Sequence, residues 1–433
     1  MDVSTKQQRI AELAKSSPEL SFTSLNHYLD LDWLGEAYRR LRKESAPGYD
    51  AQTVEDYGER LDANLPSLLE RAKSGRYFAP PVRRAHIPKG AGKETRPIGV
   101  PTTEDKLLQR AVAMLLEPIY EQDFLDCSYG FRPGRSAHGA LEDLWRQSMD
   151  LGVRWILDVD ISKFFDTLDH AQLRKLLQHR VRDGVITRLV GKWLNAGVLE
   201  QGTVHYPEQG TPQGGSISPL LSNLYLHYVL DLWFATEVQP RLKGRTFMTR
   251  YADDVVMGFE CQEDAERVLR VLPKRFAKYG LTLHPDKTRL VAFGRPNRHE
   301  AERPGTFDFL GFTHYWGRSR KGAWVIKRKT ARARFNRGLQ RLGEWCRFHR
   351  HRPVAEQHAN LRQKLLGHFA YYGITGNGLW LQKFREAVKK LWQKWLSRRS
   401  RGAPMPWERF THLLRRYPLP PARVVHSIYV ATP

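Results

Sequence analysis

Apolar positions recur along this chain with two different periods, and the changes of period mark out its elements. From about Leu31 to Arg76, Leu34, Ala37, Tyr38 and Leu41, and then Leu61, Leu65, Leu68 and Leu69, fall at helical spacing, with the turn Ala46-Pro47-Gly48-Tyr49-Asp50 between them. Val82 to Ile87 predicts a short strand. Pro88 to Pro97 predicts a basic, glycine-containing hairpin tip that returns as Ile98-Gly99-Val100, and Thr103 to Leu116 predicts a helix. Trp155 to Asp160 reads as a buried strand, and Asp169 as the N-cap of a helix through Arg180. Ser218-Pro219, a hydroxyl cap followed by proline in the first turn, opens an apolar helix through about Phe234. Phe247 to Phe259 reads as two short strands and Glu263 to Tyr279 as a helix. Leu281 to Leu283, Leu290 to Phe293 and Phe307 to Phe312 read as further strands. Such a mixture, without regular strand-helix alternation, predicts an α+β core.

After Trp316 the pattern becomes helical throughout. Three runs, about Thr330 to Phe348, Val354 to Tyr372 and Leu379 to Arg399, are parted by Arg352-Pro353 and by Gly373 to Gly378. In the last run Phe384, Val388, Leu391, Trp392 and Trp395 line one face, while Lys383, Arg385, Lys389, Lys390 and Lys394 crowd the rest, which predicts a small bundle with a basic exterior.

Charge sharpens this division. The 433 residues carry a net charge of +24, yet residues 316–433 hold 27 Lys and Arg against 4 Asp and Glu, leaving 43 against 42 before them. A positive field concentrated in this way attracts polyanions, nucleic acid above all. A chain this long buries a sizeable core and divides into two or three domains, which excludes a peptide hormone or small disulfide module. The three cysteines, Cys127, Cys261 and Cys346, have no paired spacing, which argues for a reducing compartment and against a zinc module. The first twenty residues hold no apolar signal core and no long apolar run follows, so a cytoplasmic, nucleoid-associated protein without a membrane partner is expected.

Three segments carry the candidate chemistry. Tyr251-Ala252-Asp253-Asp254 sets two adjacent carboxylates between two short strands, Asp160 ends a strand upstream, and Gln209 to Leu220 forms a glycine-rich loop running into a helix. Adding a nucleotide to a strand calls for two divalent ions that hold the attacking and leaving oxygens. Such ions take a few carboxylates from separate segments and leave room for substrate phosphates. Asp160, Asp253 and Asp254 meet that demand, with two Mg²⁺ as the expected ions and Mn²⁺ as a substitute. Phe165 is close enough to Asp160 to wall a nucleotide's sugar and exclude a 2′-hydroxyl. Gln213-Gly214-Gly215 offers backbone amides and close approach to base or phosphate. Lys89 and Arg96 bracket the hairpin tip as candidates for gripping a triphosphate, with Lys93 able to replace Lys89. Lys287 is expected near the leaving pyrophosphate.

With these residues stand Arg96 to Thr102, Tyr129-Gly130-Phe131-Arg132-Pro133-Gly134-Arg135-Ser136, Asp160 to Asp166, Gly210 to Asn223 and Phe309-Leu310-Gly311-Phe312. From about Leu31 to Tyr429 the chain resembles the reverse transcriptases, specifically the multifunctional proteins encoded within bacterial group II introns. The resemblance implies a right-hand polymerase fold: an N-terminal extension over 1–30, fingers and palm over 31–315, an all-α thumb and maturase domain over 316–400, and a short basic DNA-binding-like tail over 401–433. It implies metal binding by Asp160, Ile161, Asp253 and Asp254, and nucleotide binding by Lys89, Arg96, Ile161, Phe165, Gln213 and Lys287. Arg132, Arg135, Lys389, Lys390, Arg398 and Arg399 are its RNA-binding residues, and Leu365 to Gly373 looks like its thumb signature. The implied activity is RNA-directed DNA synthesis joined to help with intron splicing and mobility. The implied partners are intron RNA, an RNA template with a DNA primer, target DNA and deoxynucleotides, and a homodimer is compatible with them. Members that cut DNA end in a zinc-bearing endonuclease domain, whose Cys and His pairs do not occur here, so second-strand cleavage is not expected. Two other readings share these residues: a relative recruited to defence or DNA repair, and a splicing cofactor whose polymerase site is unused.

Overall fold

The computed structural model describes residues 2–88, 95–200, 202–206, 210, 214–296, 304–399 and 404–427. In chain order its strands are β1 (Val82–Pro88), β2 (Thr95–Val100), β3 (Trp155–Asp160), β4 (Val198–Glu200), β5 (Thr203–His205), β6 (Thr246–Tyr251), β7 (Asp254–Phe259), β8 (Arg289–Ala292), β9 (Phe307–Phe309), β10 (Phe312–Arg318) and β11 (Trp324–Thr330). They form three sheets, ordered β2-β1-β4-β5, β6-β7-β3-β8 and β11-β10-β9. With helices interspersed, this is the α+β class that the pattern predicts. The chain divides into two compact units, one of Met1–Lys89, Lys93–Ala140 and Leu157–Leu290, the other of Gly90–Gly92, Leu141–Ile156 and Val291–Pro433.

In the first unit the Thr103–Asp123 helix is the hub. Thr102 caps it, its hydroxyl accepting from Asp105 N at 3.2 Å, and Leu107, Leu108, Ala111, Val112, Met114 and Leu115 are all buried. Asp105, Lys106 and Gln109 are buried with them, so neighbouring elements must cover the helix on nearly every side. Helices Val3–Ser16 and Leu31–Arg39 supply part of that cover, and the buried Trp33 indole donates to the Ala111 carbonyl at 2.9 Å. The hairpin of β1 and β2 runs in register from Arg83↔Val100 to Pro88↔Thr95, and β4 extends it in parallel. Leu281 to Leu283, expected as a strand, makes only a single bridge, Leu283 to Ile161.

Asp183 ties the N-terminal segment to this unit. Its Oδ2 accepts from Leu25 N at 2.6 Å, Asn26 N at 2.8 Å and Asn26 Nδ2 at 2.9 Å, and its Oδ1 from Val185 N at 2.8 Å and Ile186 N at 3.0 Å. Burial pushes this carboxyl upward, but the hydrogen bonds from Asn26, Ile186 and Leu25 outweigh it and hold the group below its ordinary range. Its stabilisation is therefore complete above the unperturbed carboxylate range and is lost as pH falls through the lowered folded value. Asp183→Ala, which strands four buried or half-buried main-chain amides and the Asn26 side-chain amide, is expected to cost about 3 kcal/mol or more in urea unfolding at neutral pH. The variant should also lose part of the parent's acid sensitivity.

The second unit holds β9–β11 and the C-terminal helices. Helices Arg332–Phe348, Val354–Tyr372 and Gly378–Leu396 lie where the sequence predicts them. The all-helical stretch expected from residue 316 begins instead at Arg332, because 312–330 form the hairpin β10–β11, registered from Phe312↔Thr330 to Arg318↔Trp324. Helix packing joins Leu342, Leu361, Leu365, Phe369, Phe384 and Trp392 in one buried cluster. The segment past residue 400, expected as a tail, carries a further helix, Trp407–Arg416, whose Phe410 enters the same cluster. Buried Asn377 pins strand to helix: its Oδ1 accepts from Thr330 N at 2.9 Å, and its Nδ2 donates to Thr330 Oγ1 at 2.9 Å and to the Tyr372 carbonyl at 2.8 Å.

Candidate active site

The hairpin β6–β7 pairs antiparallel from Thr246↔Phe259 to Tyr251↔Asp254, which leaves Ala252 and Asp253 alone at its tip. Strand burial explains the placement. Val255 to Phe259 are buried, whereas Asp254 is exposed and Asp253 half-buried, so the apolar run anchors the hairpin and its two carboxylates are partly open to solvent. Ala252 has φ 55°, a left-handed backbone that costs a residue with a Cβ. The exposed Phe131, itself at φ 58°, lies with its ring 6.3 Å from that of Tyr251.

β3 adjoins β7 in the same sheet and ends at Asp160. The Asp160 carbonyl accepts from His284 N at 2.8 Å, and Lys287 Nζ stands 3.4 Å from each of its carboxylate oxygens. Lys287, expected near a pyrophosphate, is thus placed beside an expected metal ligand. Past Ile161, which bridges to Leu283, the chain turns through Lys163 at φ 45° into the helical turn Phe164–Thr167. Phe164 is buried in the core while Phe165 is half-buried, with the two rings edge-to-face at 5.3 Å.

The glycine-rich segment is fitted to both neighbours. A Cβ on Gly210 would lie 2.8 Å from the carbonyl oxygens of Phe165 and Asp166, and one on Gly214, 2.5 Å from the Gly99 carbonyl of β2. Both glycines have positive φ, 91° and 121°, so each position demands glycine twice over. Gly210 thus lies against the Phe165 turn and Gly214 against the strand that carries Arg96. Its far end is held by Gln109, whose Oε1 accepts from Ile217 N at 3.4 Å and whose Nε2 donates to Asp105 at 3.0 Å. Asp105 also accepts from Tyr77 Oη at 2.6 Å and Trp193 Nε1 at 2.7 Å, and burial pushes its carboxyl up to about 6 despite these bonds. Nothing in the sequence marks Gln109 or Asp105 for this role, since the partners are 108 and 88 residues away.

Other expected residues are distributed unevenly. Lys89, Lys93 and Gln213 lie outside the described residues, and Arg96 is placed only by its backbone opposite Ile87. Arg132, expected on the RNA, is 7% exposed. Its guanidinium binds Glu121 at 3.0 Å and donates to the Leu125 and Ser128 carbonyls at 2.8 and 2.9 Å, so it serves the fold, because a cation this enclosed cannot reach a phosphate. Arg135 pairs with Asp126 at 2.5 Å over the Tyr129 ring. Lys389 is held by Glu386 at 2.8 Å, and Arg399 donates to the Arg350 and Arg352 carbonyls. Lys390 and Arg398 are exposed. Of the Leu365 to Gly373 signature, Leu365 and Phe369 are core, and a Cβ on Gly373 would lie 2.3 Å from the Phe369 carbonyl.

Among the described residues no three or more His, Cys, Asp or Glu side chains are gathered as a metal cluster. The donors at hand are hard carboxylate oxygens on adjoining strands, partly open to solvent. Mg²⁺ prefers such a set, which it completes with water and substrate phosphates instead of an all-protein cage.

The acidic end of the β6–β7 hairpin thus lies on a strand beside a second strand that ends in a carboxylate, a donor set able to take hard divalent ions. The family described as reverse transcriptase (RNA-dependent DNA polymerase) matches residues 87–314, more than half of the chain, and the chain belongs to that family. Protein YkfC of Escherichia coli is 34% identical over 359 residues, 74% of this chain and 91% of that protein. The group II intron-encoded protein LtrA of Lactococcus lactis is 39% identical over 235 residues, 52% of this chain and 38% of LtrA, so the chain spans well under half of that relative. Nuclear intron maturase 1 of Arabidopsis thaliana is 31% identical over 90 residues, 21% of this chain and 12% of that protein. Within its family the chain stands with the group II intron reverse transcriptases and maturases. No helix among the described residues is long and apolar enough to cross a membrane.

Proposed function

We propose that this chain extends a DNA primer along an RNA template, with Asp160, Asp253 and Asp254 as the ligands of two Mg²⁺ ions, and that it binds an intron RNA to promote its splicing and mobility. The observation that carries the reading is the adjacency of β3 and β7, which puts the strand ending in Asp160 beside the strand opening in Asp254, inside the matched region. When bound, the ions would neutralise charge that develops on the attacking and leaving oxygens. The chain's own groups do the remainder. Phe165, seated over the core ring of Phe164, walls the sugar; the Gly210 and Gly214 backbone lets the loop approach the incoming nucleotide; Lys287 offers a cation for phosphate beside Asp160. Arg96 and the hairpin tip of β1 and β2 are the further candidates for the triphosphate.

RNA binding is supported by the second unit's basic helices. Arg332–Phe348 and Gly378–Leu396 flank a groove of about 540 Å³ floored by Leu339, Leu391 and Trp395 and rimmed by Arg347, Lys390 and Lys394. Arg398 lies 5.3 Å over the Trp395 ring. We read these helices as the thumb and maturase element, and the first unit's sheets as fingers and palm. Purified protein incubated with its neighbouring transcript, an annealed DNA primer, deoxynucleotides and Mg²⁺ tests both activities at once. The reading expects cDNA and spliced RNA, and cDNA absent across templates and metals would refute its polymerase half.

A further inference from the structure

Arg250 stands immediately before the Tyr251 to Asp254 turn, and its guanidinium is fully buried with every donor in use. Nε donates to Asp231 Oδ1 at 2.7 Å and Nη2 to Asp231 Oδ2 at 2.5 Å. Nη2 also reaches Ser128 Oγ at 2.8 Å, and Nη1 reaches Asn223 Oδ1 at 2.9 Å and the Ala252 carbonyl at 3.0 Å. These bonds account for all five N–H groups of a guanidinium. The last of them differs in kind from the rest. It leaves the packed interior for the turn itself, where the Ala252 carbonyl belongs to the peptide that carries Asp253, and where Ala252 holds its left-handed φ of 55°.

The peptide before it, Tyr251–Ala252, is packed against Gly130. A Cβ on Gly130 would lie 2.3 Å from Ala252 N, and Asn223 Nδ2 donates to the Gly130 carbonyl at 2.6 Å. Arg250's own main chain is clasped between Cys127 O, at 2.7 Å from its N, and Tyr129 N, at 2.8 Å from its O. Helix winding brings the acceptors together. Asn223 is on the Ser218–Leu226 helix and Asp231 closes the π-helical turn His227–Asp231 that continues it. In a regular α-helix a residue eight positions on is rotated by about 80°. The wider π turn reduces that rotation and returns Asp231 to the face of Asn223.

A buried ion pair is a poor source of stability, since its desolvation offsets most of its attraction. This one has a geometric product instead. We propose that Arg250, braced by Asp231 and Asn223, is a positioning residue that fixes the left-handed Ala252 peptide and so aims the Asp253 carboxylate at the reacting phosphates. The proposal rests on the reading of Asp253 as a metal-binding residue of the polymerase site.

Two variants of the full chain test it. Arg250→Lys keeps a charge paired with Asp231 but replaces the planar fork by one ammonium, and Arg250→Met with Asp231→Leu removes both buried charges. Both are to be followed by thermal unfolding, by fluorescence anisotropy of a bound DNA-primed RNA template, and by primer extension with kcat and nucleotide KM resolved. Both are expected to fold, to bind the primed template within about twofold of the parent, and to lose roughly 100-fold in kcat, the scale of a reacting group moved off line. A variant that folds and copies at the parent kcat overturns the proposal. Loss of the folded state in both overturns it equally, since the network would then belong to the fold. Asp253→Ala run beside them separates the two levels: full activity there would sink the underlying reading of Asp253, whereas an inactive Asp253→Ala beside a fully active Arg250→Lys sinks only the positioning role.

Discussion

Asp253→Ala is expected to lower the rate of nucleotide addition by about 10³-fold or more while leaving the affinity for a primed template nearly unchanged. Few groups are available to neutralise the charge that grows on the transferred phosphoryl group, and metal ions contribute several kcal/mol of that stabilisation, at about 1.4 kcal/mol for each factor of ten. Asp253 sits at the tip of the β6–β7 hairpin, half-buried and next to the exposed Asp254, so its removal opens no core cavity. The loss should therefore appear in kcat and not in thermal stability. Single-nucleotide addition on an RNA template, measured beside a melting curve, separates the two.

Reversing Arg347, Lys390, Lys394 and Arg398 to glutamate should have an effect of similar size on RNA affinity and none on the polymerase chemistry. All four are exposed, and three rim one groove. Each phosphate contact contributes roughly 0.7 to 0.9 to the slope of log affinity against log salt, so losing four should flatten it by about 3 and weaken binding by about 10³-fold near 0.1 M salt. Binding to the neighbouring intron transcript across a salt series checks both figures together. An unchanged slope would place the RNA on another surface.

Much of the fold is legible in the sequence, for reasons that differ from element to element. Trp155 to Asp160 is a strand in the structure to the residue, because a run of large apolar groups closed by a carboxylate fits a central strand ending at a surface. A hairpin around the Asp pair is readable because two apolar strands flank it, although its tip is Ala252-Asp253 and Asp254 already opens β7. The C-terminal helices were readable because three long amphipathic runs are separated by proline and glycine. The β10–β11 hairpin was not. Trp324 to Thr330 contains Lys327, Arg328 and Lys329, which read as basic surface, yet Arg328 is buried and donates to the Leu141 carbonyl at 3.1 Å, a partner 187 residues distant.

The candidate site is legible in its carboxylates and opaque in what supports them. Carboxylates, glycines and the aromatic declare themselves by type and spacing, whereas Arg132 looked like an RNA contact until Glu121 and two carbonyls enclosed it. Arg250 carried a signal of its own, an arginine in a strand of buried residues, where a charge persists only if fully paired. Its partners were beyond reach, since Asp231 and Asn223 share a face only through a π-helical turn that no apolar period predicts.

The central claim is that Asp160 and Asp253, on separate strands, share two divalent ions with the nucleotide. A crystal structure of the protein with a primed RNA template, an unreactive nucleotide analogue and Mn²⁺, phased to show the metal directly, tests it. Two ions about 2.0 to 2.3 Å from oxygens of both carboxylates and from the nucleotide's phosphates are predicted. Ions held by the nucleotide alone, with Asp160 still turned to Lys287, would contradict it.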